Sequence, residues 1–221
     1  MSQSYCPALL VIDLQEDFLP PDGSLAVPNG RDVVPVINSL TELPWTTIIA
    51  SKDWHPSNHC SFAVNHPGKK PFEKASFSHP EGTGAIREET LWPVHCVQGS
   101  HGSEFPPEFT GASKVDNVVN KGYLEDREYY SAFQDIWKLH KTELASLLKE
   151  KDVTDVFVVG LALDYCVLNT AVDAVSFGFK THLIKEGTRP VDPSITDQIY
   201  EKLKNAGVEI TDIKSLPPFS N

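Results

Sequence analysis

Reactive side chains follow several short apolar runs of this sequence, at the points where those runs end. These side chains belong to Asp13, Asp53, His55, Lys121 and Cys166. In an open sheet of parallel strands, ligands bind beyond the carboxyl ends of the strands. We therefore expect residues from four distant parts of the chain to meet at one edge of a sheet. A thiol, an ammonium group and a carboxylate could together perform nucleophilic catalysis there.

Cys166 is the best candidate for a nucleophile. It comes just after the apolar run at 156–159, where a strand is expected to turn into a helix. A helix N-terminus and a nearby ammonium group both favour the reactive thiolate form. The alternative is an inert, buried cysteine, and this is the interpretation we give to Cys6, Cys60 and Cys96.

Lys121 could supply the ammonium group, and Asp13 could accept the thiol proton and orient both partners. Each of these residues also has an ordinary interpretation. An Asp after a strand is often a turn former or a helix cap, and a lysine is usually exposed on the surface. The combination with Cys166 is what favours a catalytic role for both.

The segment Lys-Asp-Trp-His-Pro at 52–56 indicates a metal site. Asp53 and His55 are two residues apart, so in an extended chain they face the same way. A carboxylate and an imidazole suit zinc, iron or manganese, but two ligands do not make a site. We choose His95 as the third ligand and keep His59 in reserve. The other histidines are expected to be ordinary surface or core residues, and they are His66, His79, His101, His140 and His182.

Six apolar runs predict the strands that must position these groups. Several are nearly continuous in apolar residues, as strands covered on both faces should be. The runs lie at 8–12, 46–50, 115–119, 156–159, 181–184 and 208–210. Helical patterns alternate with them at 32–43, 136–149, 165–178 and 195–207. This order predicts an α/β fold with a doubly wound, mostly parallel six-stranded sheet and helices on both faces.

Residues 52–112 interrupt this alternation and are rich in Pro, His, Gly and Ser. A connection of this length without regular structure is unusual in a compact domain, and when ordered it is often functional. We expect it to wrap over the sheet edge and to carry part of the active site. Because neither flank completes the fold alone, residues 1–221 are predicted to form a single domain.

The charge balance bears on the partners. The chain has 221 residues and a formal net charge of −11, from 19 Lys and Arg against 30 Asp and Glu. Such acidity repels phosphate backbones and anionic lipids, and no basic run offsets it. No apolar run is long enough to span a bilayer. We expect neither nucleic acid nor a membrane as a partner, while a homo-oligomer stays open.

The compartment is inferred from the chain ends and the cysteines. Residues 1–7 lack the basic and apolar segments of a secretory signal, and residues 219–221 match no common C-terminal address. We expect a cytoplasmic protein that is not secreted, with the nucleus and the peroxisome as open alternatives. In a reducing compartment the four cysteines are expected to be free thiols.

Five segments carry a family resemblance. VIDLQEDF at 11–18 resembles the opening of the isochorismatase-like cysteine hydrolases. The segments similar to the nicotinamidase branch of that superfamily are DWHP at 53–56, LWPVHC at 91–96, GLALDYCV at 160–167 and DREYYSAF at 126–133, the last of which resembles the eukaryotic, fungal type. The resemblance runs from residue 8 to about 213, and several motifs in the correct order are far more specific than one.

The resemblance implies a reaction and the residues that perform it. The reaction is hydrolysis of nicotinamide to nicotinate and ammonia, a step of NAD salvage, through a cysteine thioester. The implied triad is Asp13, Lys121 and Cys166. The resemblance also implies a cis peptide at Leu161–Ala162, with the backbone amides of Ala162 and Cys166 forming an oxyanion hole.

The resemblance further implies one divalent metal ion, expected to be zinc, bound by Asp53, His55 and His95. Water would complete its coordination, and the pyridine nitrogen of nicotinamide could displace one water. Four aromatic residues occupy positions where the family lines its pyridine pocket, and they are Phe18, Trp92, Tyr130 and Tyr165. The alternative for each aromatic ring is ordinary core packing.

Three other functions stay open at this point. One is another hydrolase of the superfamily, such as an isochorismatase or an N-carbamoyl amidase, although neither resemblance calls for this metal-ligand set. A second is a zinc hydrolase in which metal-bound hydroxide attacks and Cys166 is incidental. A third is a non-catalytic interaction module, which the fold alone could not exclude.

Overall fold

Eight strands form two sheets in the computed structural model, which describes residues 4–216. The strands are β1 (Pro7–Ile12), β2 (Thr47–Asp53), β3 (Lys74–Ser78), β4 (Ile86–Thr90), β5 (Asn117–Lys121), β6 (Asp155–Leu161), β7 (Lys180–Arg189) and β8 (Glu209–Thr211). Six of them form the main sheet in the order β5-β2-β1-β6-β7-β8, and all neighbouring pairs are parallel. The predicted doubly wound parallel sheet is therefore confirmed.

Helices cover both faces of this sheet. They are α1 (Val33–Thr41), α2 (Leu144–Glu150), α3 (Leu168–Ser176) and α4 (Thr196–Asn205). The buried side chains of β1 alternate between two core clusters, one shared with α1 and the other with α2, α3 and α4. Each fully buried Leu or Val contributes about 1.5–3 kcal/mol by leaving water. The strand therefore needs apolar residues at every position, which is why its sequence shows no polar alternation.

The helix predicted at 136–149 is wrong in its first half, because α2 covers only Leu144–Glu150. The carboxylate of Asp135 accepts a hydrogen bond of 2.6 Å from the backbone N–H of His140. Such local side-chain bonds compete with helix formation. Lys138 has a φ of 62°, which a right-handed helix cannot include. The apolar spacing alone does not reveal this turn.

The helix predicted at 165–178 has a different beginning. One turn of π-helix, Leu163–Val167, precedes α3 and contains Cys166. Single π-helical turns of this kind are frequent at functional sites. Cys166 therefore lies in the turn that links β6 to α3, as the sequence predicted, although the turn is wider than an α-helical one.

Residues 52–112 contain more regular structure than expected, because β3 and β4 pair as an antiparallel hairpin. Phe77 of β3 is buried in a small core cluster that it shares with Leu91. The chain then returns to the end of β2, where the backbone N–H of His55 donates to the carbonyl of Cys96 over 3.0 Å. The insert thus places the residues around His95 beside the carboxyl end of β2.

Among residues 4–216, no helix is long and apolar enough to cross a membrane. All four cysteines are free, as expected. The chain ends that informed the expected compartment include residues 1–3 and 219–221, which lie outside the described residues.

Candidate active site

Three reactive side chains surround the ammonium group of Lys121 at the carboxyl ends of the parallel strands. Its Nζ lies 2.5 Å from Oδ1 of Asp53, 2.8 Å from Oδ2 of Asp13 and 3.5 Å from Sγ of Cys166. It also donates to the backbone carbonyl of Tyr129 over 3.0 Å. Lys121 is completely buried, so the surface-lysine interpretation is wrong. Removing a charged ammonium group from water costs free energy, and the ion pairs with Asp13 and Asp53 offset this cost.

Asp13 is held in place directly after β1. Its backbone has a φ of 47°, which turns the chain away from the strand. Ser51 donates its hydroxyl to Oδ1 of Asp13 over 2.6 Å, and Oδ2 forms an ion pair of 2.8 Å with Nζ of Lys121. A carboxylate oxygen has two lone pairs, so Oδ2 can still accept a proton beside Lys121.

Cys166 faces both carboxylates from the π-helical turn. A carboxylate oxygen of Asp13, one of Asp53 and the sulfur of Cys166 all lie within 4.8 Å of one another. The cysteine is 8% exposed and lines the pocket described below. Its thiol is therefore within reach of a small molecule while most of its surface is covered by protein.

The ionisation of this cluster follows from burial and charge. Burial disfavours the cation of Lys121, but the carboxylates of Asp13 and Asp53 outweigh it and hold the lysine pKa well above its ordinary value. Burial, assisted by the charge of Asp53, raises the pKa of Asp13 in spite of Lys121. Asp13 is thus a stronger base than an exposed aspartate.

The structure adds one effect to the expectation about Cys166. We expected the helix N-terminus and Lys121 to favour the thiolate, and Lys121 does lower the pKa of the thiol. Burial nevertheless raises the pKa of the thiol well above its ordinary value, and Lys121 offsets this only in part because Asp13 and Asp53 oppose it. Burial therefore favours the neutral thiol over the thiolate, and Asp13 is placed to accept the thiol proton.

A second group of side chains meets at the other oxygen of Asp53. Oδ2 lies 3.6 Å from Nε2 of His55 and 3.8 Å from Nε2 of His95. All three residues are buried, and one ligand atom from each lies within 4.8 Å of the others. The spacing and the donor types match a three-ligand site for a divalent metal ion.

The orientation of both histidines fits metal binding. Nδ1 of His55 hydrogen-bonds the carbonyl of Gly122 over 2.9 Å, and Nδ1 of His95 bonds the carbonyl of Pro93 over 2.8 Å. A carbonyl only accepts, so in the neutral form of each imidazole Nδ1 carries the proton and Nε2 keeps its lone pair. Nε2 of His55 is buried without any hydrogen-bond partner. Such backbone bonds to the far nitrogen are typical of metal-ligating histidines.

The reserve ligand His59 has neither nitrogen free. Its Nδ1 bonds the hydroxyl of Ser61 over 2.8 Å, and its Nε2 bonds the carbonyl of Arg127 over 3.0 Å. Burial and the neighbouring His55 hold its pKa well below the ordinary value. His59 is therefore a neutral supporting residue, and His95 is the better third ligand.

Gly122 is a site residue that the sequence analysis missed. Its φ is +71°, and a Cβ at this position would lie 2.3 Å from Cε1 of His55. Only glycine allows the backbone to approach the imidazole this closely and to bond its Nδ1. The sequence feature that could have indicated Gly122 is its position directly after Lys121, in the turn that follows β5.

A pocket opens above the thiol. Its lining includes all four predicted aromatic residues, and the ring centroids of Trp92 and Tyr165 lie 4.8 Å apart at 88°. The lining residues are Phe18, Leu25, Asp53, Trp92, His95, Glu128, Tyr129, Tyr130, Ala162, Tyr165, Cys166 and Val191. Glu128 and Tyr129 lie inside a segment that had carried the resemblance, whereas nothing in the sequence indicated Leu25 or Val191. The pocket suits a flat ring.

The residues of the expected oxyanion hole lie at the end of β6. The peptide bond between Leu161 and Ala162 is cis, as the resemblance implied. Ala162 and Cys166 both line the pocket. The carbonyl of Ala162 accepts hydrogen bonds of 3.1 Å from the N–H groups of Tyr165 and Val167, which ties the strand end to the π-helical turn.

Comparison with known proteins places this geometry in a family. The sequence profile of the isochorismatase domain matches residues 7–215. A nicotinamidase of Saccharomyces cerevisiae is 40% identical over 212 residues, which cover 92% of this chain and 98% of the relative. The solved structure of the yeast nicotinamidase bound to the inhibitor nicotinaldehyde has a TM-score of 0.90 at 38% identity and covers 93% of this chain and 99% of that chain. The pyrazinamidase of Pyrococcus horikoshii in complex with zinc has a TM-score of 0.70 at 31% identity, covering 94% and 99%.

The matched segment contains every strand of the main sheet and both buried groups of side chains. On the strength of this match, the protein belongs to the isochorismatase domain family.

Proposed function

We propose that this protein is a nicotinamidase, which hydrolyses nicotinamide to nicotinate and ammonia with Cys166 as the nucleophile. The observation that carries the proposal is the cluster at the base of the aromatic pocket, where Nζ of Lys121 lies 3.5 Å from Sγ of Cys166 and 2.8 Å from Asp13. The yeast relative named a nicotinamidase supports the choice of substrate.

The acylation step begins with a protonated thiol. Asp13 accepts the proton as Sγ of Cys166 attacks the carboxamide carbon, and the carbon–oxygen π electrons move to the oxygen. The backbone amides of Ala162 and Cys166 are proposed to stabilise this oxyanion, an effect that is often the largest single contribution to catalysis. Lys121 stays protonated throughout and stabilises the negative charge that develops on the sulfur.

Collapse of the tetrahedral intermediate breaks the carbon–nitrogen bond. Asp13 returns its proton to the departing nitrogen, so that ammonia leaves and a thioester to Cys166 remains. Asp13 then accepts a proton from a water molecule that attacks the thioester. Cleavage of the carbon–sulfur bond restores the thiol, to which Asp13 supplies the proton. The product leaves as nicotinic acid, which loses its remaining proton to water and becomes nicotinate.

Asp53, His55 and His95 are proposed to hold one divalent ion, which we infer to be zinc. Two observations support this site: Nε2 of His55 has no hydrogen-bond partner, and Nδ1 of both histidines bonds a backbone carbonyl. The choice of zinc is supported by the Pyrococcus relative, which was solved in complex with zinc. When bound, the ion would act as a Lewis acid that anchors and polarises the pyridine ring. The protein's own contribution is to orient the imidazoles and to exclude bulk water.

The aromatic pocket is proposed to hold the pyridine ring. Trp92 comes from the insert at 52–112, and Tyr130 and Tyr165 come from the segments after β5 and β6. The insert thus contributes both a metal ligand, His95, and a pocket wall. Because the insert and the main sheet together form the pocket, we propose that the chain is one domain.

The proposal is tested by measuring ammonia release from nicotinamide and from an N-carbamoyl amino acid, together with turnover of isochorismate. We expect turnover of nicotinamide only. Mass spectrometry of the quenched reaction should then find a nicotinoyl group on Cys166. Preferred turnover of either other compound would reject nicotinamide as the substrate, and an unmodified Cys166 in samples quenched rapidly during nicotinamide turnover would reject the thioester.

A further inference from the structure

We infer that Gln15 is a positioning residue, which fixes Asp53 in the orientation that serves both Lys121 and the proposed metal site. The inference deepens the proposed function, since it rests on the metal site assigned above. Gln15 belongs to neither of the two groups of side chains around Asp53, and it is completely buried.

The side-chain amide of Gln15 holds the backbone of Asp53 at two points. Its Oε1 accepts from the N–H of Asp53 over 2.8 Å, and its Nε2 donates to the carbonyl of Asp53 over 2.8 Å. Nε2 also donates to the carbonyl of Ser103 over 3.0 Å. With two carbonyls facing Nε2, a flipped amide would place oxygen against oxygen, so the orientation of Gln15 is determined.

These bonds replace a missing part of the sheet. The β1–β2 ladder ends at the pair Val11 and Ala50, whereas β2 continues to Asp53, which pairs with Lys121 on its other side. The backbone N–H and carbonyl of Asp53 therefore have no strand partner toward β1. A buried peptide group without a hydrogen-bond partner is destabilising, and the side-chain amide of Gln15 supplies the partners that a neighbouring strand would otherwise provide.

The position of the Asp53 backbone determines which groups its two carboxylate oxygens contact. Oδ1 of Asp53 lies 2.5 Å from Lys121, and Oδ2 lies 3.6 Å from Nε2 of His55. A rotation of the Asp53 peptide would move the two oxygens together. Gln15 therefore sets two distances at once, one in each group of side chains.

The turn that carries Gln15 is itself anchored on several sides. The N–H of Gln15 donates to the carbonyl of Asp13 over 2.9 Å, and the N–H of Glu16 donates to Glu104 over 3.0 Å. The carboxylate of Asp17 accepts from the N–H of Cys96 over 2.6 Å, directly after His95. These hydrogen bonds fix the backbone of the turn, and so they fix the position of the Gln15 side chain that bonds Asp53.

Two variants of Gln15 test the inference. Gln15→Met has a similar length but lacks all three hydrogen bonds. Gln15→Glu keeps the shape and the acceptor for the N–H of Asp53, but an ionised carboxylate cannot donate to the two carbonyls and a protonated one can donate to only one of them. The matched control is Gln98→Met, because exposed Gln98 donates a single bond of 3.0 Å to the carbonyl of Trp54, next to Asp53.

The readouts are the metal dissociation constant, from competition with a chelator, and the visible absorption spectrum of the Co²⁺-substituted protein. Loss of a residue that orients a metal ligand weakens metal binding by about 10–100-fold. We expect a loss of this size in both Gln15 variants, with a changed Co²⁺ spectrum. Gln98→Met should keep the wild-type constant and spectrum.

The two variants also separate positioning from simple loss of stability. If Gln15→Met does not fold, the inference is tested with Gln15→Glu alone. Near-UV circular dichroism shows whether this variant is folded before the metal is added. A folded Gln15 variant with wild-type affinity and spectrum overturns the inference. Wild-type protein that binds no metal would overturn the metal site and the inference with it, whether or not nicotinamide is turned over.

Discussion

Asp53 and Lys121 form a buried ion pair in which Oδ1 lies 2.5 Å from Nζ, while Oδ2 of the same carboxylate faces the imidazoles of His55 and His95. One side chain is thus shared by the cluster around the thiol and by the proposed metal site. Solvent screens charges weakly in a buried site. A change of charge in either group is therefore expected to affect the other.

Replacing the proposed nucleophile should abolish the reaction without unfolding the protein. Cys166→Ala removes only a sulfur atom that lines the pocket, so we expect kcat to fall by about 10⁴-fold or more. The matched control is Cys6→Ala, which lies before β1 and is expected to keep wild-type activity. Activity is measured as ammonia release, and circular dichroism checks the fold. A Cys166→Ala protein with a tenth of wild-type kcat would rule out the thioester.

Asp13 and Lys121 should not contribute independently. Both act on one proton and one sulfur, so a first loss disables most of the unit. We expect Asp13→Asn and Lys121→Ala each to reduce kcat/KM by about 10²–10⁴-fold. The double variant should lose little more than the worse single variant. If its loss equals the product of the two single losses, the residues act separately and the proposed triad is wrong.

The acid limb of the pH profile should report Asp13. Burial raises its pKa above the ordinary value of 3.8, so this base becomes protonated, and activity falls, at a higher pH than for an exposed aspartate. The hydroxyl of Ser51 stabilises the charged carboxylate. Ser51→Ala should therefore move the acid limb of kcat/KM further upward. The control is Ser113→Ala on the surface, and an unmoved limb in Ser51→Ala would contradict the role of Asp13.

Gly122→Ala should weaken metal binding through a steric clash. A Cβ there would lie 2.3 Å from Cε1 of His55, at a φ of +71°. Gly178→Ala is the matched control, because it has a φ of +95° and no atom within 4 Å of the added carbon. Both variants should lose roughly 1–2 kcal/mol of stability from the backbone strain. Chelator competition should find weaker metal binding in Gly122→Ala alone, and equal binding in both would reject the clash.

Several site residues could be predicted because strands that are buried on both faces are easy to recognise. The continuous apolar run before Asp13, and the one before Cys166, fix where these residues leave the sheet. Parallel strands bring such ends together whatever their separation in the chain. The grouping of Lys121 with Asp13 and Cys166 followed from this topology and from residue type, whereas the ion pair between Lys121 and Asp53 was not predicted.

Other features depend on contacts that no local pattern contains. Leu25 and Val191 reach the pocket from loops whose course is fixed by tertiary hydrogen bonds, such as the bond from the N–H of Val191 to Asp164. The turn before α2 depends on one carboxylate, Asp135, that captures backbone N–H groups. The raised pKa of the Cys166 thiol results from burial, and the sequence does not reveal how deeply this side chain is buried.

The metal site makes the last prediction. Wild-type protein should contain one divalent ion by elemental analysis, and His55→Ala should lose it, because removal of one of three ligands leaves too few donors. The exposed His101→Ala is the control and should keep its metal. If the ion anchors the pyridine nitrogen, His55→Ala should raise KM for nicotinamide as well as lower kcat. Benzamide, which has the carboxamide but no ring nitrogen, should be a poor substrate for the wild-type enzyme. Metal-free wild-type protein with full activity, or benzamide turned over as fast as nicotinamide, would show that Asp53, His55 and His95 do not bind a catalytic metal.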